Sequence, residues 1–247
     1  IVDIGHDNFD SACEALELGS VDMAVVDMAQ LIRMEKNDEN LPYGVVISGV
    51  LKRGDSRYVM IRKRHAKDII ENAVVATDSY SKTERIKHMY DGISCVVETD
   101  IRKCIEKLDA SECDAVFVLL EDIKAARLHN SFLYRYTIMD YGECVPVHGE
   151  GVYAMLTKGK KEAVRTAREL SHKSTAECFE IEDDIISRVM QNVYVKTCDV
   201  YARISSDRLE IYADVTGNRG RIRVNERGTF VNKNLIITKI VDRISKS

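Results

Sequence analysis

The residues most suited to chemistry in this 247-residue chain form one short polar run, Thr77-Asp78-Ser79-Tyr80-Ser81-Lys82. The run follows an apolar strand pattern and precedes a helical pattern, so it lies at a strand-to-helix turn. Such turns in open α/β sheets present backbone N–H groups and the positive end of a helix dipole, and both attract anions. Two interpretations stand: an anion-binding crevice, or a plain helix N-cap followed by an exposed lysine.

A second polar pair lies in the stretch Pro146-Val147-His148-Gly149-Glu150-Gly151. Proline fixes φ and glycine adopts φ values that other residues avoid, so this stretch predicts a forced turn. His148 and Glu150 are of the right types for acid and base, but a structural hydrogen bond is the commoner arrangement for such a pair. The P-loop, dinucleotide-binding, serine-hydrolase and HExxH patterns do not occur in the sequence.

The bulk composition is that of an ordinary globular protein, with 45% hydrophobic and 31% charged residues. A formal net charge of −4 argues against a nucleic-acid partner. No apolar run reaches the ~18 residues that span a bilayer, so no membrane partner is predicted. Seven cysteines without a CxxC pair favour reduced thiols in the cytoplasm and predict no metal site. The chain opens with Ile1, which predicts a processed or truncated start.

Strand and helix patterns alternate up to Pro146, and this β-then-α order predicts an α/β fold with mainly parallel, doubly wound sheets. Near-continuous apolar runs at residues 21–26 and 45–51 predict strands that are covered on both faces. No internal repeat is found. The other main predicted elements are a helix opened by Phe9 and ended by Gly19, a short helix near residues 66–72, helices over residues 161–170, 175–190 and 232–244, and three antiparallel strands within residues 194–224.

Five short motifs extend the interpretation. They are Asp22-Met23-Ala24-Val25, then Leu51-Lys52-Arg53-Gly54-Asp55-Ser56-Arg57, then Ala76-Thr77-Asp78-Ser79, then Lys107-Leu108-Asp109 with Asp114-Ala115, and finally Pro146 to Gly151. In this order and spacing they resemble the porphobilinogen deaminase (hydroxymethylbilane synthase) family. Its counterparts look like D-I-A-V-H-S-x-K-D, R-E-D-P-R-D, G-T-S-S-L-R-R, K-L-D-x-G-x-Y-D-A and L-P-x-x-G-Q-G. Each match is partial, but together they cover essentially the whole chain.

The resemblance implies two lobes like those of periplasmic binding proteins and a small C-terminal α+β domain with a three-stranded antiparallel sheet. The implied boundaries are residues 1–57 with 147–170 for lobe 1, residues 58–146 for lobe 2, and residues 171–247 for the C-terminal domain. On this view the chain re-enters lobe 1 at Pro146, and the family's first strand, helix and second strand would precede Ile1.

The implied activity belongs to tetrapyrrole biosynthesis, in a cytoplasmic monomer. The family joins four porphobilinogen units and releases ammonia. A cysteine carries a covalent dipyrromethane cofactor, arginines hold the carboxylates, and an aspartate stabilises the developing pyrrole cation.

The residues that carry this chemistry in the family are replaced here. Ala29 and Gln30 stand where the resemblance places lysine and the catalytic aspartate, and a neutral amide does not stabilise a cation as a carboxylate does. Asp27 is the nearest substitute. The cofactor cysteine aligns with Val193 or Tyr194. The nearest thiol is Cys198.

Part of the ligand-binding set persists. Arg53 and Lys124 stand at family positions, whereas Ser81 and Lys82 replace paired arginines, and a lysine lacks the bidentate fork that suits a carboxylate. Glu98 places a negative charge where the family meets its substrate's carboxylates. The predicted ligand-binding residues are Arg53, Thr77, Ser79, Ser81, Lys82 and Lys124.

Three functions remain open. The favoured one is a protein of the family fold whose deaminase activity is lost or strongly altered, and which binds another small, carboxylate-bearing molecule or partners tetrapyrrole enzymes. The second is an active synthase that uses Asp27 and Cys198 as relocated residues. The third is an unrelated two-lobed protein that binds a small anion.

Overall fold

A computed structural model describes residues 9–37, 39–66 and 72–246 of the chain. Residue contacts divide the chain into two compact units. The first joins the residues up to Gly54 with those from Val147 onward, and the second comprises Asp55–Pro146. The segments predicted as lobe 1 and as the C-terminal domain therefore share the first unit, although each has its own sheet and its own apolar core.

Eight α-helices and eleven strands are present in the described residues. The helices are α1 (Phe9–Glu17), α2 (Met28–Lys36), α3 (Tyr80–Lys87), α4 (Ile101–Asp109), α5 (Leu120–Ala125), α6 (Lys161–Leu170), α7 (Lys173–Met190) and α8 (Lys233–Ser245). The strands are β1 (Met23–Asp27), β2 (Val45–Val50), β3 (Tyr58–Lys63), β4 (Val74–Thr77), β5 (Ser94–Val97), β6 (Ala115–Leu119), β7 (Tyr134–Ile138), β8 (Tyr153–Lys158), β9 (Val195–Ser205), β10 (Arg208–Gly217) and β11 (Gly220–Thr229). No helix among these residues is long and apolar enough to cross a membrane.

The first sheet of unit 1 has the order β1-β8-β2, and both pairings are antiparallel. Helix α1 contributes the predicted apolar face to its core through Phe9, Ala12, Cys13 and Leu16. The helix ends before Gly19, whose φ of +71° is a left-handed value that glycine adopts without strain.

The prediction that strands β1 and β2 are covered on both faces is wrong. Val25 in β1 is 51% exposed, and Val46 in β2 is 49% exposed. The two strands lie at opposite ends of the described three-stranded order, so each has a strand neighbour on only one side among these residues. An apolar run indicates a strand, but the neighbouring elements decide how much of it is covered.

The sheet of unit 2 has the order β5-β4-β6-β3-β7. Strand β4 pairs in parallel with β5 and β6, whereas β3 is antiparallel to both β6 and β7. All five residues of β6 are buried because apolar side chains cover both faces of this strand. The carboxyl ends of β4 and β6 are neighbours, and the chain continues from them into α3 and α5.

The α/β fold class is confirmed, but within the described part of the chain parallel pairing is limited to β4–β5 and β4–β6. The other pairs in the two α/β sheets are antiparallel. The alternation of strand and helix along the sequence predicts crossovers between consecutive strands. It does not show that β8, which arrives from far along the chain, inserts between β1 and β2.

The C-terminal part of unit 1 is the predicted three-stranded antiparallel sheet, in the order β11-β10-β9. Helices α7 and α8 supply the rest of its core. Leu209, Ile211 and Ala213 of the central strand are fully buried in that core. The burial of these alternate residues follows the two-residue period of a strand with one face on the core.

Helix α2 and strand β7 were not predicted. Sequence patterns do not separate α2 from β1, because Met28 and Leu31 continue an apolar stretch that begins in the strand. Most of the short helix predicted near residues 66–72 lies outside the described residues, since residues 67–71 are not among them.

The structure contains an internal repeat that the sequence analysis did not find. Helix α1 ends at residue 17, and β1 and α2 begin at residues 23 and 28; α4 ends at residue 109, and β6 and α5 begin at residues 115 and 120, a constant offset of 92 residues. The order β1-β8-β2 likewise matches β6-β3-β7, with antiparallel pairing in both. The repeat is one of burial pattern more than of residue type, so the sequence conceals it.

Candidate functional site

The turn between β4 and α3 lies at the carboxyl end of the unit 2 sheet, where α/β proteins bind ligands. Ser79 is the N-cap of α3, and its hydroxyl accepts a hydrogen bond from the Lys82 N–H at 3.4 Å. The Thr77 hydroxyl donates to the Ser79 carbonyl oxygen at 3.1 Å and shares a hydrogen bond with Thr83 at 2.8 Å. Ser81 bonds to the Ser79 hydroxyl at 3.1 Å. The hydroxyl groups predicted to bind a ligand thus bond to one another and to the turn.

Lys82 is buried, and neither interpretation of the turn predicted this. Its side chain is only 6% exposed, and Nζ lies 2.7 Å from Asp78 Oδ2 and 3.8 Å from Asp122 Oδ2. Two carboxylates therefore compensate its charge. The other Asp78 oxygen, Oδ1, is buried and has no hydrogen-bond partner among the described residues.

Lys124 is half exposed and has similar partners. Its Nζ lies 3.4 Å from Asp55 Oδ2 and 3.8 Å from Glu121 Oε2. Asp55 is also held by two hydrogen bonds from the Arg57 guanidinium, at 2.9 and 2.7 Å. The hydrogen bonds from Arg57 hold the pKa of Asp55 at about 2. Each of these cations already has a carboxylate partner, so an anionic ligand would have to compete for it.

Arg53, predicted to bind ligand, forms a buried ion pair within unit 1. Its Nη1 and Nη2 donate to the two carboxylate oxygens of Glu182 at 2.6 and 2.8 Å. The guanidinium also lies 5.0 Å from the ring centre of Tyr201, and Nη1 donates to the Ala202 carbonyl at 3.2 Å. Burial alone would raise the pKa of Glu182, but the charge and hydrogen bonds of Arg53 outweigh burial and lower it. Both terminal nitrogens of Arg53 are therefore engaged by Glu182, and a ligand at Arg53 would compete with that carboxylate.

His148 is buried beside the same carboxylate, in a pairing that differs from the predicted one with Glu150. Its Nε2 lies 2.8 Å from Asp183 Oδ1, and its Nδ1 lies 3.4 Å from Glu182 Oε2. The ring stacks on Phe179 with the ring centres 4.7 Å apart.

The forced turn around His148 is confirmed. Gly149 and Gly151 have φ values of +84° and +73°. A Cβ atom on Gly149 would lie only 3.1 Å from the backbone nitrogen of Ala29.

The position of the family's lysine and catalytic aspartate lies at the start of α2. The Ala29 side chain is buried, and Gln30 is half buried. Asp27, the proposed substitute, is the N-cap of α2, and its Oδ1 accepts the Ala29 N–H at 2.7 Å. One oxygen of this carboxylate is therefore committed to the helix terminus.

Cys198, the proposed substitute for the cofactor cysteine, lies in the core between β9 and the helices. It is 5% exposed, and burial raises the pKa of its thiol to about 12. Val193 and Tyr194 are 85% and 57% exposed, and neither carries a thiol. All seven cysteines lie in the described residues, and none of them forms a disulfide. The residues present do not fit a covalently attached dipyrromethane.

Sequence reasoning missed the acidic partners in these clusters. The spacing of Asp78 and Lys82, four residues apart around a helix start, was a local signal that could have revealed their ion pair. Glu182 and Asp122 gave no such signal, because Glu182 is 129 residues from Arg53 and Asp122 is 40 residues from Lys82.

Comparison with known proteins identifies a family that this chain matches. The sequence model described as "Porphobilinogen deaminase, dipyromethane cofactor binding domain" matches residues 9–166, well over half of the chain. A porphobilinogen deaminase of Clostridium acetobutylicum is 21% identical over 218 residues, which cover 82% of this chain and 74% of that protein. One of Chlorobium luteolum is 23% identical over 192 residues, which cover 76% of this chain but only 60% of that protein.

Similar solved structures include a Bordetella pertussis BvgS VFT2 domain, with a TM-score of 0.46 and 16% identity, covering 68% of each chain. Another is the second substrate-binding domain of a putative amino acid ABC transporter from Streptococcus pneumoniae. It has a TM-score of 0.45 and 16% identity, and covers 70% of this chain and 75% of that one. Likeness at this level carries no argument about function.

Proposed function

The chain belongs to the porphobilinogen deaminase family, and we propose that it keeps the family's fold while its deaminase activity is lost or strongly altered. The observation that carries the proposal is the position of Cys198. Covalent attachment of a cofactor to cysteine needs an accessible thiolate. The Cys198 thiol is buried and its pKa is about 12, and the aligned positions, Val193 and Tyr194, have no thiol.

The start of α2 supports the same proposal. A buried Ala29 supplies no ammonium group, Gln30 supplies no charge, and Asp27 caps the helix that would have to present them. Loss of one preorganised electrostatic partner at a reacting centre lowers kcat by about 10²–10³. The replacement of both residues, together with the missing thiol, leaves no combination of these groups that would make the family's reaction efficient.

We also propose that the protein binds a small molecule other than porphobilinogen. The β4–α3 turn keeps the position of an anion site, but a carboxylate-bearing ligand there competes with Asp78 and Asp122 for Lys82. We therefore expect simple carboxylates to bind weakly and to raise the melting point little in a thermal-shift screen. We place the protein in the cytoplasm as a monomer; seven cysteines without a disulfide suit a reducing compartment.

Incubation with porphobilinogen tests the loss of activity. The purified protein and the Clostridium acetobutylicum relative are incubated in parallel, and both intact mass and loss of the Ehrlich-reactive substrate are measured. We expect the relative to consume porphobilinogen, and this protein neither to consume it nor to gain the mass of a dipyrromethane. A gain in mass or a uroporphyrinogen-type product would refute the proposal.

Cysteine variants test whether the missing thiol explains the loss of deaminase activity. In Val193→Cys and Tyr194→Cys, an exposed thiol returns to the two aligned positions, and an added mass in either variant would show that the thiol is what the site lacks. If the wild type gains mass and Cys198→Ser does not, the relocated-residue alternative is correct instead.

A further inference from the structure

Unit 1 contains a buried histidine held between carboxylates from successive residues of one helix. His148 is 5% exposed. Its Nε2 lies 2.8 Å from Asp183 and its Nδ1 lies 3.4 Å from Glu182, while Phe179 of the same helix covers the ring. When only one ring nitrogen carries a proton, the ring donates to one carboxylate and turns a lone pair towards the other. Among the described residues Nδ1 forms no hydrogen bond, but it lies within ion-pair distance of Glu182. Two carboxylates at ion-pair distance, one on each side of the ring, favour the doubly protonated imidazolium.

Two charged residues from other parts of unit 1 also face His148. They are Arg53, which follows β2, and Asp199 of β9. Arg53 already holds both oxygens of Glu182, and Glu182 also accepts the Ala202 N–H at 2.7 Å. Asp199 accepts the backbone N–H of His148 at 3.3 Å. Three carboxylates thus surround the ring and its backbone with one guanidinium among them, so a second positive charge is favoured here.

We propose that His148 is a proton-controlled latch, which in its charged form fixes residues 147–151 to α7 and in its neutral form loosens them. These residues connect the Pro146 boundary to β8. Their Gly149 packs against the backbone of Ala29 at the start of α2. When the latch opens, the contact between Gly149 and α2 is weakened. Helix α2 begins at the position of the family's catalytic residues. The inference does not depend on whether deaminase activity remains.

The sign of the pH dependence follows from the environment of the ring. Burial by itself would lower the pKa of His148, but the hydrogen bond to Asp183 and the interaction with Glu182 outweigh burial and raise it. A raised pKa in the folded state means that the stabilisation is complete below the unfolded value near 6.5 and is lost as the pH rises through the folded value. The latch is closed below the unfolded value and opens as the pH rises through the raised folded-state pKa of His148.

Hydrogen exchange across residues 146–153 measures the opening directly. The amides of His148, Glu150 and Val152 donate to Asp199, Val147 and Gly149 and report on this segment. After correction for base catalysis of exchange, we expect the opening constant of the wild type to rise with pH above 6.5 by up to about tenfold per unit, the limit for one proton. His148→Gln should exchange faster at pH 6 and show no such rise.

The control is Asp184→Asn on the same helix, because Asp184 forms an ion pair with the exposed Arg188. This variant should keep the wild-type pH dependence, whereas Asp183→Asn should weaken it. NMR titration of the His148 ring provides a second measurement if His148→Gln fails to fold. A ring pKa at or below 6.5, or a pH-independent opening constant in the wild type, would overturn the proposal.

Discussion

Replacement of Arg53 by methionine tests whether this residue serves the fold or a ligand. The resemblance places Arg53 among the ligand-binding residues, but its guanidinium contacts Glu182, Ala202 and the Tyr201 ring. The side chains of Arg53 and Glu182 are 8% and 1% exposed. Arg53→Met would fill most of the same volume and leave a buried carboxylate without its main partner.

The magnitude follows from this burial. Removal of one member of a buried, hydrogen-bonded ion pair destabilises a protein by about 3–5 kcal/mol, because the remaining charge is left uncompensated. We expect a destabilisation near ~3 kcal/mol, the lower end of this range, because Glu182 keeps two other contacts in Arg53→Met. His148 Nδ1 lies 3.4 Å from Glu182, and the Ala202 N–H still donates to it. The double variant Arg53→Met with Glu182→Leu removes both charges and should be close to wild type or more stable.

Urea unfolding followed by far-UV circular dichroism measures these differences. Because the two units need not unfold together, hydrogen exchange in α7 and β9 assigns the change to unit 1. Arg188→Met is the matched control, since the Arg188–Asp184 pair lies on the surface of the same helix and is expected to contribute about 0–1 kcal/mol.

Two results would refute the reasoning. If Arg53→Met is no more destabilising than Arg188→Met, the buried pair does not hold the fold. If the double variant is less stable than both Arg53→Met and Glu182→Leu alone, the loss of stability comes from packing and not from an uncompensated charge. A structural role also predicts that Arg53→Met shifts the melting point of the free protein itself.

Two further predictions concern a glycine and an acid. Gly149→Ala should lower the free energy of unfolding by about 1–2 kcal/mol more than Gly159→Ala, measured by urea titration. Both glycines have positive φ, but only at Gly149 would the new Cβ lie within 4 Å of neighbours. Asp55→Asn should remove roughly 1–2 kcal/mol at pH 7, because Arg57 lowers the pKa of Asp55 from 3.8 to about 2. A depressed pKa stabilises the protein above pH ~4 and ceases to do so as the pH falls towards 2, so wild type and variant should converge there in acid-unfolding curves.

Local patterns predicted most of the fold. The apolar spacing of Phe9, Cys13 and Leu16 predicted one helix face, and the strand and turn patterns of residues 194–224 predicted the C-terminal antiparallel sheet. Pairing between distant strands left no such mark. Strand β8 lies between β1 and β2 although more than 100 residues of sequence separate it from either, and the offset of 92 residues between the repeated elements is invisible because the residues themselves differ.

The site was harder to predict than the fold, because its charges are compensated from elsewhere in the sequence. Lys82 looked like an exposed cation beside a helix start, but Asp122, which follows another strand, approaches it where the two strand ends meet. His148 appeared to pair with Glu150 two residues away, and its carboxylates come instead from α7. A motif identifies the residue types at a site but not the charges that face them.

The surroundings of Ala29 indicate that a single substitution, Ala29→Lys, would not restore the family's chemistry. Ala29 is 5% exposed, and the hypothetical Cβ of Gly149 would lie within 3.2 Å of its backbone atoms. A lysine at this position would have to extend its long side chain out of a packed space or leave an ammonium group buried, and a buried charge without a partner is strongly unfavourable. The turn of residues 147–151 packs against the backbone of Ala29, and the Ala29 side chain is itself buried. We therefore expect that restoring the lysine alone would disturb this packing and would not by itself restore the catalytic charge.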